Sequence, residues 1–245
     1  MPLDERWKRD RNEARTDNHW NDYDEIIKTS VNVYNRHLKN TPGFKELDWL
    51  LVKAMVWTET GAKIDDWKGM AMRIGVPTDQ GLPDLLNNRE HINLIIPSEY
   101  RSLLSDVNKI KTDPTFNIRA GIAYLLKRLA NFGVNPIDES DSRVYTYTMK
   151  NEIVSNVASR ESTTLEVFRS MNPQVKNWNH VSQGTLLQYR KVKKGIQIVG
   201  WKPITTTSIA SNYNGGRDEN YAEKLDYCLT IIRELIEKQA ASITK

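Results

Sequence analysis

One acidic residue is placed where proton transfer can be argued from its neighbours. Residues 45–60 read KELDWLLVKAMVWTET and are apolar nearly all round, with Leu47, Trp49, Leu50, Leu51, Val52, Ala54, Met55, Val56 and Trp57. Such a run predicts a helix in the middle of a core. Glu59 follows Met55 and Val56 by one helical turn, so its carboxyl leaves the end of an apolar rod. Desolvation there disfavours the ionised form and raises the pKa. A carboxylic acid still protonated near neutral pH can protonate the leaving oxygen of a glycosidic bond. By itself the pattern also fits an ordinary exposed helix-terminal glutamate. A second carboxylate would separate two mechanisms. An inverting hydrolase needs a base carboxylate about 6.5–9.5 Å from the acid, with room for a water. Asp65, Asp66 and Asp79, on the loop after Glu59, are the candidates, and each also reads as a solvated loop aspartate. Cys228 is the one cysteine, which excludes an intrachain disulfide and a Cys-rich zinc site. None of His19, His37, His91 and His180 sits at H-x-x-x-H spacing, so a zinc hydrolase built on that motif is not expected, and the glycosidase chemistry read here implies no metal or organic cofactor.

The elements that must hold Glu59 are mostly helical. Ile26, Ile27, Val31, Tyr34 and Leu38 recur at helical steps from about Tyr23, until Asn40-Thr41-Pro42-Gly43 ends the pattern. The core helix over 45–60 stops at Gly61, and 62–89 is loop punctuated by Gly and Pro, with room for short helices. Asp113-Pro114 opens the clearest helix, with Phe116, Ile118, Ile122, Leu125, Leu126, Leu129 and Phe132 on one face and Gly133 after it. The last helix spans about 220–240 on the stripe Tyr221, Leu225, Leu229, Ile232, Leu235 and Ile236, where Cys228 reads as a small core residue. Between these helices lie strand-like residues 144–149, two short helical patterns at 153–158 and 164–169, a turn at Gly184 and strand-like residues 185–192. The fold expected is mainly α, interrupted by a small β-α-α-β module.

Four ordered blocks then resemble the lysozyme-like family of soluble lytic transglycosylases and goose-type lysozymes. Glu59-Thr60-Gly61 stands for that family's E-S-G at the end of a buried helix. Gly69-Met70-Ala71-Met72-Arg73-Ile74-Gly75 stands for its G-x-x-G-L-M-Q-I loop. The run from Asp113-Pro114 through Asn117-Ile118, Ala120-Gly121 and Tyr124-Leu125 is nearly the family's D-P-x-x-N-I-x-A-G-x-x-Y-L. Ile209 to Gly216, with Tyr213-Asn214, is similar to A-x-x-x-Y-N-x-G. The resemblance implies Glu59 as general acid, Tyr213 hydrogen-bonding near the acid or its substrate, and Asn214 fixing the cleft. It also implies that the stretch around Met72 and Arg73 lines sugar subsites. Tyr124 and Asn117 would be structural. Arg73 stands where the family has Gln, and Met70 and Ala71 replace Gly-Leu, departures that bear on subsite chemistry more than on reaction class. The implied reaction is cleavage of the β-1,4 bond between N-acetylmuramic acid and N-acetylglucosamine. Either water or the muramyl 6-hydroxyl completes it, and the sequence leaves both open.

The interrupting module resembles a LysM domain. Tyr145 to Lys150 opens like its first strand, Val157-Ala158 and Ser162 to Glu166 follow its helices, and Met171-Asn172-Pro173 matches its L-N-P. Gly184 with Leu186-Leu187 is similar to its closing strand. Such domains bind N-acetylglucosamine-containing glycans. Here Asn151-Glu152-Ile153 replaces the usual Gly-Asp-Thr and shortens the first loop, so glycan binding and a spacer role both stand. Trp178 and Trp201 could stack on sugars or pack internally.

The domain organisation expected is a charged arm over 1–21, read as solvated or as a poorly packed helix, a discontinuous catalytic domain over 22–142 and 202–245, and the module over 143–201. The 245 residues are 39% hydrophobic and 27% charged, which fits a globular chain and excludes a disordered one. A net charge of +4 gives no argument for nucleic acid but suits an anionic cell wall. No apolar run reaches the ~20 residues of a membrane span, and no signal peptide is read at the N-terminus. Action in the periplasm or cell wall would then need delivery by a secretion system or a phage. An effector would imply an immunity protein able to plug the cleft. Two rival expectations are a non-catalytic peptidoglycan-binding or assembly protein on the same fold, and a chitinase-like glycosidase.

Overall fold

The computed structural model describes residues 2–77, 79–138 and 143–243; the boundary expected at 142 lies outside them. In chain order the first helices are α1 (Glu5–Asn12), α2 (Asp24–Leu38), α3 (Trp49–Glu59), α4 (Gly81–Leu86), α5 (Arg89–Ile95), α6 (Val107–Thr112) and α7 (Pro114–Leu129). Strands β1 (Ala130–Asp138) and β2 (Tyr145–Thr148) follow, then α8 (Val154–Arg160) and α9 (Leu165–Met171). The chain closes with β3 (Leu186–Tyr189), β4 (Lys193–Trp201), α10 (Thr206–Asn212) and α11 (Tyr221–Ile243). The protein is mainly helical and divides into two units, Met1–Phe132 with Ile198–Lys245, and Gly133–Gln197. Among the described residues no helix is long and apolar enough to cross a membrane.

In the first unit everything is arranged around α3. Asp48 caps it, accepting from Leu50 N at 2.9 Å, so the helix starts at Trp49 and not near Lys45. Leu51 through Thr58 are all buried. Lys53 is the one cation in that run, and its amine is paired with Asp24 of α2 at 2.7 Å and with Asn21. A buried ammonium is tolerated only when answered in this way. Helices α2 and α11 pack on α3, and α7 packs on α2. Helix α7 begins as its sequence requires: Asp113 accepts from Thr115 N at 2.8 Å, and Pro114 occupies the first turn.

Two expectations are corrected here. Residues 2–21 are partly helical, as one of the two expected readings had it, but they are neither solvated nor poorly packed. They form α1 and two short 3-10 turns, with Leu3, Arg11, Ala14 and Trp20 buried. The Arg11 guanidinium lies over the Trp7 ring at 4.6 Å and donates to Trp57 O at 3.1 Å and Thr60 O at 3.2 Å. It thereby caps the last carbonyls of α3, where a cation is favoured by the helix dipole. Helix α7 also does not run to Phe132. It gives way at Ala130 to β1, which pairs with β4 to supply the ladder a strand needs.

The second unit has the order β2-α8-α9-β3. Strands β2 and β3 are antiparallel, with Tyr145 opposite Tyr189 and Thr148 opposite Leu186. Met149, Val154, Val157, Ala158, Phe168, Leu187 and Tyr189 form its own core. Asn172 is fully buried there: its Nδ2 donates to Phe168 O and Gln188 O, and its Oδ1 accepts from Gln188 N at 2.8 Å. That one amide ties the end of α9 to β3.

Arg11→Met leaves two buried carbonyls without a donor. It is expected to lower unfolding stability by about 3 kcal/mol, measured by urea denaturation; an unchanged midpoint would restore the solvated-arm description.

Candidate active site

Glu59 is the last residue of α3, and the chain must turn sharply behind it. Gly61 does so at φ +70°, and a Cβ there would meet the Trp20 ring at 2.8 Å. Thr60 Oγ1 donates to Val56 O at 3.1 Å and to Ala71 O at 2.9 Å, which brings the following loop back to the helix end. The loop is then pinned by Asn117 of α7, which is fully buried. Asn117 Oδ1 accepts from Met72 N at 2.8 Å, while Nδ2 donates to Ile74 O and Ile110 O at 2.8 and 2.6 Å. One turn further on, Gly121 lets the loop press against α7; a Cβ would stand 2.8 Å from the Met72 side chain. Tyr213, following α10, donates its hydroxyl to Met72 O at 3.1 Å. The Tyr124 and Tyr221 rings lie tilted beside it, with ring centroids 5.2 and 6.4 Å away.

The result is a cleft of about 540 Å³ in the first unit. Glu59, Arg73, Asp79, Tyr124, Tyr213 and Asn214 line it, so residues 154 positions apart in the chain face one space. Met72 also borders it, but its side chain is buried against Gly121 and its amide and carbonyl are both taken. Asn214 braces the α10–α11 turn, accepting from Asp218 N at 2.8 Å. Arg73 is held at φ +53°, a strained conformation of the kind that collects at functional sites.

The three candidate second carboxylates part company. Asp65 is fully exposed, and Asp66 lies 3.8 Å from Arg73; neither lines the cleft. Asp79 does line it, but its oxygens accept from Gly75 N, Gly81 N and Leu82 N at 2.7–3.0 Å. It braces a turn, a role that a carboxylate beside two glycines performs by accepting backbone N–H groups. Trp201 packs inside its unit, edge-on to Phe44 at 5.0 Å, with Nε1 donating to Thr41 Oγ1 at 3.0 Å.

Tyr221 is the partner that sequence reasoning did not assign. Its hydroxyl donates to Glu59 Oε1 at 2.6 Å, although the residue lies 162 positions away. The signal was present only as a tyrosine on the apolar stripe of the last helix; such a residue buries its ring and must satisfy its hydroxyl. Glu59 keeps some surface open to the cleft, yet burial dominates its titration and pushes the carboxyl up to about 7. Asp79 and Asp218 reinforce the shift, while the Tyr221 hydrogen bond and the Arg73 charge oppose it. Burial, with the Glu59 charge next, holds Tyr213 and Tyr221 well above the usual tyrosine value, so both remain donors at neutral pH. Among the described residues no group of His, Cys, Asp or Glu is arranged to hold a metal ion.

Comparisons with protein-family models, with curated proteins and with solved structures return no match.

Tyr221→Phe removes a hydrogen bond that favours the Glu59 carboxylate, so the carboxyl resonance should titrate at higher pH in a carbon-13 NMR experiment. A second consequence concerns stability. The folded protein keeps the Glu59 proton up to about pH 7, whereas an ordinary glutamate loses it near 4.5. Stability is therefore lost as pH rises through that window, by roughly 3 kcal/mol. Glu59→Gln should lack this component, giving a flatter stability curve between those pH values than wild type.

Proposed function

We propose that the protein cleaves peptidoglycan glycan strands at the β-1,4 bond between N-acetylmuramic acid and N-acetylglucosamine, with Glu59 as general acid. The single supporting observation is a carboxyl desolvated enough to hold its proton near neutral pH, at the floor of a cleft built by the four blocks that resemble the lysozyme-like family. Tyr221 holds Oε1, which leaves Oε2 to carry the proton to the glycosidic oxygen. The sugar then develops oxocarbenium character.

The engagement of Asp79 with three backbone amides favours lytic transglycosylation over inverting hydrolysis. In that route the muramyl 6-hydroxyl attacks the anomeric carbon and Glu59, now a carboxylate, takes its proton back. The second unit is the LysM-like module of this reading. Arg160 donates to Glu152 Oε2 at 2.8 Å and to the Tyr147 hydroxyl at 2.7 Å, and Tyr147 also donates to Glu152. These bonds occupy the shortened first loop and favour the spacer role over glycan binding. Action on the cell wall after delivery by a secretion system or a phage, with an immunity protein as partner in the effector case, belongs to the same proposal.

Clearing of purified peptidoglycan tests it. Wild type should clear the suspension, with a rate that falls above about pH 7 as Glu59 ionises, and Glu59→Gln should be slower by about a thousandfold. Equal, negligible clearing by both proteins would favour the non-catalytic peptidoglycan-binding reading. Faster cleavage of chitin oligomers than of muropeptides would favour the chitinase-like one. Mass spectrometry of the fragments then separates anhydro-muramyl ends from the reducing ends of hydrolysis.

A further inference from the structure

Asp218, in the turn between α10 and α11, has every polar atom engaged. Its N–H donates to Asn214 Oδ1 at 2.8 Å, and its carbonyl accepts from Tyr221 N at 3.0 Å. Its Oδ1 accepts from Asn220 N at 3.0 Å, and Oδ2 takes the Lys224 amine at 2.6 Å. One residue therefore fastens the turn to the residue before α11, to the first residue of that helix and to its first turn. The turn needs such a fastening. Gly215 and Gly216 both take left-handed φ, +68° and +71°, and glycine has the most backbone freedom to lose. A carboxylate at a helix start also accepts amides that the first turn leaves without partners. Lys224 is itself mounted: its amine lies 5.6 Å from the centre of the Trp7 ring, the ring that also carries Arg11. One indole thus backs both the cation that caps the end of α3 and the cation that holds Asp218.

The start of α11 decides where the Tyr221 hydroxyl arrives. Tyr221 is the first residue of the helix, where ends fray, yet its hydroxyl reaches Glu59 Oε1 at 2.6 Å. Among the described residues Asp218 makes no hydrogen bond to Glu59, and it does not line the cleft. We propose that Asp218 is a positioning residue: it fixes the start of α11 so that the Tyr221 hydroxyl is delivered to the Glu59 carboxyl. The inference rests on the proposed function for its meaning in catalysis, and it adds the residue that aims the partner of the acid. Asp218 also acts through its charge, which disfavours the Glu59 carboxylate, so aim and charge have to be separated.

Carbon-13 titration of the Glu59 carboxyl in the full chain separates them. Asp218→Ala and Asp218→Asn remove the same charge, but asparagine keeps an oxygen for Asn220 N. With Tyr221 in place, Glu59 in the Asp218→Ala protein should titrate about one pH unit above Glu59 in the Asp218→Asn protein, the size of one hydrogen bond to a charged group. With Tyr221→Phe added to each, the two should titrate together. Arg73, Asp79, Asp84, Arg128 and Arg217, with the Tyr124 and Tyr213 hydroxyls, also face the cleft and are the same in all four proteins, so their effects cancel. Equal titration of the alanine and asparagine variants with Tyr221 in place, or a difference that survives Tyr221→Phe, overturns the inference. Should Asp218→Ala fail to fold, Asn214→Ala is compared with wild type instead, since it removes the acceptor of Asp218 N without a change of charge. A Glu59 titration raised in that variant, and no longer raised once Tyr221→Phe is present, supports the inference; no rise, or a rise that persists, overturns it. Failure of the catalytic reading looks different: wild-type protein would leave peptidoglycan uncut while the Tyr221-dependent difference in titration remained.

Discussion

At the end of α3 two demands meet that water would ordinarily settle. The last turn of any helix presents carbonyls without intrahelical donors, and here the turn lies inside a core and terminates in a carboxylic acid. Arg11 answers the carbonyls of Trp57 and Thr60, and Tyr221 answers the acid. Because the carboxyl is given one neutral hydroxyl and no cation at bonding distance, burial wins over compensation, and the proton stays. Replacing that hydroxyl by a guanidinium would make the helix end more comfortable and the acid useless. The proposed chemistry therefore depends on a deliberate asymmetry: strong charge compensation for the backbone, weak compensation for the side chain.

The opposite wall follows from a second buried amide. Asn117 uses both ends of its side chain to hold Met72, Ile74 and Ile110, and Gly121 removes the bulk that would push the loop away. The loop can then offer its Met72 carbonyl to Tyr213, which locks the late part of the chain onto the early part. An asparagine and a glycine four residues apart on one helix face thus do the work of a disulfide clasp, without covalent chemistry.

Parts of this were readable from the residues alone. The all-round apolar run could only be a buried helix, and the helical phase from Met55 to Glu59 already placed a carboxyl at its end. Asp113-Pro114 announced α7 because cap and first-turn preferences are local. Other features depended on distant partners. A charge-dense N-terminus averages to a solvated segment, and nothing nearby reveals that Arg11 alone turns inward to find carbonyls 46 and 49 residues away. The strand β1 was hidden because its partner β4 lies beyond an entire inserted unit. Asp79 looked like a free carboxylate because its three amide donors come from a turn whose geometry the composition does not specify.

The insertion also orders events in time. The ribosome makes Glu59 early and reaches Tyr213 and Tyr221 only after the whole of Gly133–Gln197 has been synthesised. Until then α3 lacks α11, its neighbour in the finished fold, and the acid lacks its hydroxyl donor. For most of translation the Glu59 carboxyl therefore lacks the burial that raises its pKa in the finished fold.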